Sequence, residues 1–123
     1  MWDNFVFRRP LLHPSQTPER ANVTIMEEVA HVHLGHQPSR LVATSSGMEK
    51  REYNETDEKE AYWTAAATLL PRHAVAQAVW RGQSVEDLAA AYGVSRECVE
   101  FRIKTLRLWT EHLGNGVARQ RAG

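Results

Sequence analysis

Pro71, Gly82 and Gly93 constrain this chain most, because each stops a helix and together they cut residues 56–108 into four short segments. The first of these carries Ala61, Ala65, Ala66, Ala67, Leu69 and Leu70, a run of small and apolar residues suited to close packing before Pro71 breaks it. Thr56 or Asp57 is its expected cap. A second helix is expected from about Arg72 to Arg81. Ser84-Val85-Glu86-Asp87 resembles a capping box that opens a third, ending at Tyr92-Gly93, and Ser95 caps a fourth that runs to about Leu108.

Upstream, Thr17-Pro18-Glu19 has the make-up of a helix start, with a hydroxyl cap, proline in the first turn and an acid favoured by the helix dipole. Val23, Met26, Val29, Ala30 and Leu34 then recur at helical spacing up to Gly35. Residues 37–56 are polar and charged and read as a long loop with at most a weak hairpin. Phe5-Val6-Phe7 and Leu11-Leu12 flank Arg8-Arg9-Pro10, which makes an edge strand or extended arm of the N-terminus. The expected fold is therefore mainly α, a single domain over residues 1–113 with a disordered tail over 114–123. Within it, residues 1–17 form the arm, 18–70 two helices and their loop, and 71–108 a helix-turn-helix-like three-helix unit.

Charge and cysteine content narrow the function classes. The 15 basic residues balance the 15 acidic ones, so no global field draws the chain to nucleic acid or an anionic membrane. Cys98 is the one cysteine, which rules out an internal disulfide, and there is neither a leader-like N-terminus nor an apolar run of about 18 residues. A cytoplasmic protein with no membrane segment is expected.

The first long helix carries the chemistry. Glu27 and His31 stand four residues apart, one above the other on one face, and Glu28 lies at the flank. A hydrolytic zinc needs three protein ligands, an open position and a nearby base, and ligands at i and i+4 with a carboxylate at i+1 supply most of that from one rigid element. The familiar form is His-Glu-x-x-His. Here glutamate stands in the first position, giving Glu27-Glu28-Val29-Ala30-His31. The bland reading of such an acidic pair is a solvated helix face.

Three stretches resemble the ImmA/IrrE family of metallopeptidases, in the same order. Residues 24–36, Thr-Ile-Met-Glu-Glu-Val-Ala-His-Val-His-Leu-Gly-His, resemble its zinc helix. Glu58-Lys59-Glu60-Ala61 with Ala65-Ala66 and Leu69-Leu70-Pro71-Arg72 resembles its third-ligand helix. Ser84-Val85-Glu86-Asp87-Leu88-Ala89 and Tyr92-Gly93-Val94-Ser95, continuing to Arg102 and Leu106, resemble the unit that follows. The resemblance implies a zincin-like two-helix site with zinc, or another divalent metal, held by Glu27, His31 and Glu60, and with Glu28 as general base. Glu58 is the competitor for the third position. His36 is a candidate to orient a metal ligand or to contact substrate. The implied function is zinc-dependent cleavage of a protein substrate, a transcriptional regulator or repressor. Such a peptidase usually aligns substrate on an edge strand upstream of the metal helix, and with about 17 residues there that part is expected to be reduced or absent.

Other candidates carry less. His33 points away from His31, and His13, His73 and His112 have no partner spacing; Cys98 reads as a small core residue. The competing function is a helix-turn-helix DNA-binding or regulatory protein with a degenerate, non-catalytic metal site. Arg96, Arg102, Lys104 and Arg107 could meet phosphates, but residues 72–110 hold six basic against four acidic residues, so DNA binding by this chain alone is not expected.

Overall fold

Thr17 and Pro18 start the first helix as their chemistry requires. In the computed structural model, which describes residues 16–43 and 49–114, α1 spans Pro18–His33 and the Thr17 hydroxyl accepts the Arg20 N–H at 3.3 Å. The arm at residues 1–15 and the tail beyond 114 lie outside the described residues.

The polar stretch after α1 forms a two-stranded antiparallel hairpin, β1 (Arg40–Ala43) and β2 (Glu49–Glu52), with Arg40 opposite Glu52 and Leu41 opposite Arg51. What read as a long loop is therefore organised, and the Arg40 Nε to Glu52 Oε2 contact at 2.6 Å joins its ends. Helix α2 (Glu55–Leu69) begins one to two residues before the expected caps. Asn54 is the cap: its backbone is extended, its side-chain oxygen accepts the Asp57 N–H at 2.8 Å, and this leaves Thr56 and Asp57 inside the first turn.

Beyond Pro71 come α3 (Arg72–Trp80), α4 (Val85–Tyr92) and α5 (Arg96–Thr105), with a further helical turn over 109–114. Ser84 and Asp87 form a reciprocal capping box, and Ser95 caps α5. Helix α5 stops short of the expected Leu108 because Arg107 takes a left-handed backbone at φ 60°.

The core lies among α2 to α5 and is built from Leu70, Val75, Val79, Leu88, Val99 and Ile103, all essentially solvent-free. Arg102, buried among them, donates from Nε to the Leu70 carbonyl at 2.8 Å and so satisfies the end of α2. Asn22 of α1 donates to the Gly93 carbonyl at 2.7 Å, tying the first helix to the end of α4. Ala30 of α1 and Ala61 and Ala65 of α2 are buried, and small side chains let two helix axes approach closely. That approach sets the histidines of α1 against the acids of α2. Among the described residues no helix is long and apolar enough to cross a membrane.

Candidate metal centre

A chain reversal at Gly35 completes the centre. Gly35 sits at φ 73°, its N–H reaches the Val32 carbonyl at 3.1 Å, and the His36 N–H reaches the His31 carbonyl at 2.9 Å. This is a Schellman closure, and glycine adopts its left-handed backbone without strain. The consequence is that His36 folds back beside His31, ring centroids 5.2 Å apart.

His31 is 2 % exposed. Tyr53, the residue after β2, stacks on its ring at 3.6 Å between centroids and 6° between planes. Its Nδ1 lies 3.0 Å from Nδ1 of His36. Its Nε2 faces Glu58 Oε1 at 3.7 Å. That distance is too long for a hydrogen bond and close to the ~3.4 Å that separates two donors bound about 2.0–2.2 Å from one tetrahedral ion.

Glu60 takes a different partner. Its Oε2 lies 2.7 Å from His36 Nε2, with Asp57 Oδ1 at 3.5 Å from the same nitrogen. Among the described residues His36, Asp57 and Glu60 form a group of three whose donor atoms all come within 4.8 Å of one another. The 2.7 Å contact is a hydrogen-bond length, shorter than two ligands of one tetrahedral ion would adopt.

Glu27, one turn before His31, is the perturbed acid. Burial first, then the charges of Glu58 and Glu28, push its carboxyl up to about 7. A divalent cation would relieve both the like-charge repulsion and the cost of burial. One imidazole and two carboxylates are donors suited to zinc and to harder divalent ions, so His31, Glu58 and Glu27 suit a metal in donor type, although their donor atoms are not drawn within 4.8 Å of one another as those of His36, Asp57 and Glu60 are. Glu28 points elsewhere: Arg51 of β2 donates to its Oε2 at 3.2 Å, both side chains being about three-quarters buried.

A cavity of about 510 Å³ opens beside Glu27 and Glu58 and is walled by Tyr62, Trp63 and Phe101. Behind Tyr62, the Cys98 thiol is buried and pushed up to about 11, chiefly by loss of solvent. It is a core thiol with no thiolate character near neutrality.

The structure thus gathers Glu27, His31, His36, Glu58 and Glu60 between α1 and α2 and turns Glu28 toward the hairpin. His33 is exposed. Tyr53 and Arg51 were not read as site residues in the sequence, and Asp57 was read only as a helix cap. Asp57 carried a signal, standing three residues before Glu60 on the same helix face. Tyr53 and Arg51 carried none, because only the path of the hairpin brings them to α1.

The chain matches a known family. The model of a peptidase family described as the IrrE N-terminal-like domain matches residues 7–104. No curated protein and no solved structure matches the chain.

Proposed function

The chain belongs to the IrrE N-terminal-like family of peptidases, and on that premise we propose that it binds one zinc ion between α1 and α2 and hydrolyses a peptide bond in a regulatory protein. His31, Glu58 and Glu27 would hold the ion. The carrying observation is the 3.7 Å gap between His31 Nε2 and Glu58 Oε1, beside a Glu27 carboxyl that burial first, then Glu58 and Glu28, raise to about 7. Glu58 takes the third position over Glu60 because Glu60 is spent on His36 at 2.7 Å.

When bound, zinc supplies a Lewis acid for a carbonyl oxygen and lowers the pKa of water. The protein's own residues do the rest. Glu28 accepts a proton at a carboxylate oxygen and returns it to the departing amine. Arg51 donates to that carboxylate at 3.2 Å and orients it. The aromatic walls of the adjoining cavity, Tyr62, Trp63 and Phe101, receive an apolar substrate side chain and exclude water. We place this activity in the cytoplasm.

A non-catalytic metal domain is the second reading, favoured by the Glu28–Arg51 pair, since that contact engages the Glu28 carboxylate with the hairpin. DNA binding gains little support from α5: Arg102 is buried on the Leu70 carbonyl, Arg96 is paired with Glu86 at 2.6 Å, and Lys104 lies over the Trp109 ring at 5.1 Å.

Zinc analysis of purified variants, with turnover on a peptide library, separates these readings. Zinc should be bound by the wild-type chain at one equivalent and lost in His31→Ala and Glu58→Ala. Glu28→Gln should keep zinc and lose at least about 10² in rate, the low end of general acid–base contributions. Full zinc with no turnover in the wild-type chain selects the non-catalytic domain, and zinc retained in Glu58→Ala refutes the ligand set.

A further inference from the structure

We propose that Glu60 and His36 are positioning residues that lock the tautomer of His31, so that its Nε2 presents a lone pair toward Glu58. This rests on the reading of His31 as a metal ligand, although the tautomer itself can be measured without metal.

The argument follows the hydrogens from the surface inward. An ionised carboxylate has only acceptors, so the 2.7 Å contact between Glu60 Oε2 and His36 Nε2 requires the hydrogen on His36 Nε2. A neutral imidazole carries one hydrogen, so His36 Nδ1 is then a lone pair. That nitrogen lies 3.0 Å from Nδ1 of His31, a contact that needs one hydrogen between the two rings. His31 Nδ1 must supply it. The remaining nitrogen, Nε2, is left with its lone pair, and it is the atom that faces Glu58 at 3.7 Å. Each step has one solution, given an ionised Glu60 and neutral His36 and His31.

The surroundings fix the rings that this chain of contacts joins. Tyr53 stacks flat on His31 and sets its plane. The backbone bond from the His36 N–H to the His31 carbonyl holds the two residues in register. Both histidines are buried, so water competes poorly for the contact between them. Metal-bound histidines generally rely on such a partner on the other ring nitrogen. Here the partner is a second histidine, and the carboxylate sits one ring further out. The same contacts make His36 and Glu60 a hydrogen-bonded pair, with Asp57 Oδ1 3.5 Å from the same nitrogen.

The test uses the full chain labelled with ¹⁵N-histidine, metal-free at about pH 8, above the ordinary histidine range. Long-range proton–nitrogen correlation spectra should show His31 with hydrogen on Nδ1 and His36 with hydrogen on Nε2. His36→Leu removes the acceptor and should release His31 into the mixed tautomers of an unconstrained imidazole. His36→Gln offers a carboxamide oxygen in its place and should restore the Nδ1–H form. Zinc affinity by chelator competition should weaken roughly 10–100-fold in His36→Leu and Glu60→Ala, and should recover in His36→Gln. Circular dichroism on each variant identifies any that fails to fold, and the wild-type tautomer alone still decides the matter.

Hydrogen on His31 Nε2 in the wild-type chain would overturn the proposal, because Nε2 would then present a donor and no lone pair toward Glu58. An unchanged His31 tautomer in a folded His36→Leu chain would overturn it too. So would two zinc equivalents that displace the His36 Nε2 hydrogen. If the wild-type chain binds no zinc yet shows the expected tautomers and their loss, the ligand reading fails and the relay stands.

Discussion

Removing the charge of Glu27 should stabilise the metal-free protein, and only at alkaline pH. Its carboxyl is raised from 4.5 to about 7 by burial and by the charges of Glu58 and Glu28. The folded state therefore holds that proton more tightly than the unfolded state does. The resulting stability is fully present below about 4.5 and is lost as pH rises through about 7. At about 1.4 kcal/mol per pKa unit the full shift corresponds to roughly 3 kcal/mol, and the partial exposure of the group cuts this to about 1–2 kcal/mol. Glutamine has the shape of the protonated acid. At pH 8 without metal, Glu27→Gln should thus gain about 1–2 kcal/mol, or roughly 4–8 °C in melting temperature for a domain of this size. At pH 5 the two chains should agree within about 0.5 kcal/mol, because the wild-type residue is already neutral. Zinc at a hundred times its dissociation constant should add about 2.7 kcal/mol to the wild-type chain and far less to the variant, reversing their order at pH 8. Thermal unfolding followed by circular dichroism at both pH values, with chelator and with zinc, reads all four quantities. An equal gain at pH 5 and pH 8, or none at pH 8 without metal, would show that Glu27 does not sit in a field of like charges.

Arg102→Met should cost about 2–3 kcal/mol in denaturant unfolding, because it removes the charged donor from the Leu70 carbonyl at the buried end of α2. Gly93→Ala should cost about 1–2 kcal/mol by the same measurement: the residue sits at φ 63°, and an added Cβ would lie 3.3 Å from Asn22 Nδ2, the group that bonds its carbonyl. In mobility-shift assays on random and genomic DNA fragments no salt-sensitive, sequence-specific complex should form; a tight complex lost on mutating Lys104 and Arg107 would reinstate the DNA-binding function.

Local signals carried most of the helical fold. Thr17-Pro18, Pro71, the Ser84–Asp87 box and Ser95 act through contacts within three or four residues of themselves, so the helix starts they mark depend little on the rest of the chain. Asn54 was overlooked as a cap because Thr56 and Asp57, equally good caps by type, stand just after it. The hairpin was barely legible, since its strands are four residues each, the second wholly charged, and Arg51 of that strand makes its contact with α1 only in the folded chain.

The sequence by itself determined that one helix would carry Glu27, Glu28 and His31 and that a second would carry Asp57, Glu58 and Glu60. Which acid meets which histidine was decided by tertiary structure alone. Residues two apart on a helix point about 200° from one another, so Glu58 and Glu60 cannot both lie on the line of closest approach to α1. Ala30 of α1 and Ala61 and Ala65 of α2 are the small side chains these helices bury, and the reversal at Gly35 sets the position of His36. In the folded chain Glu58 faces His31 and Glu60 faces His36. A helical repeat fixes angles within one helix, and it carries no information about how two helices are turned against each other until their side chains pack.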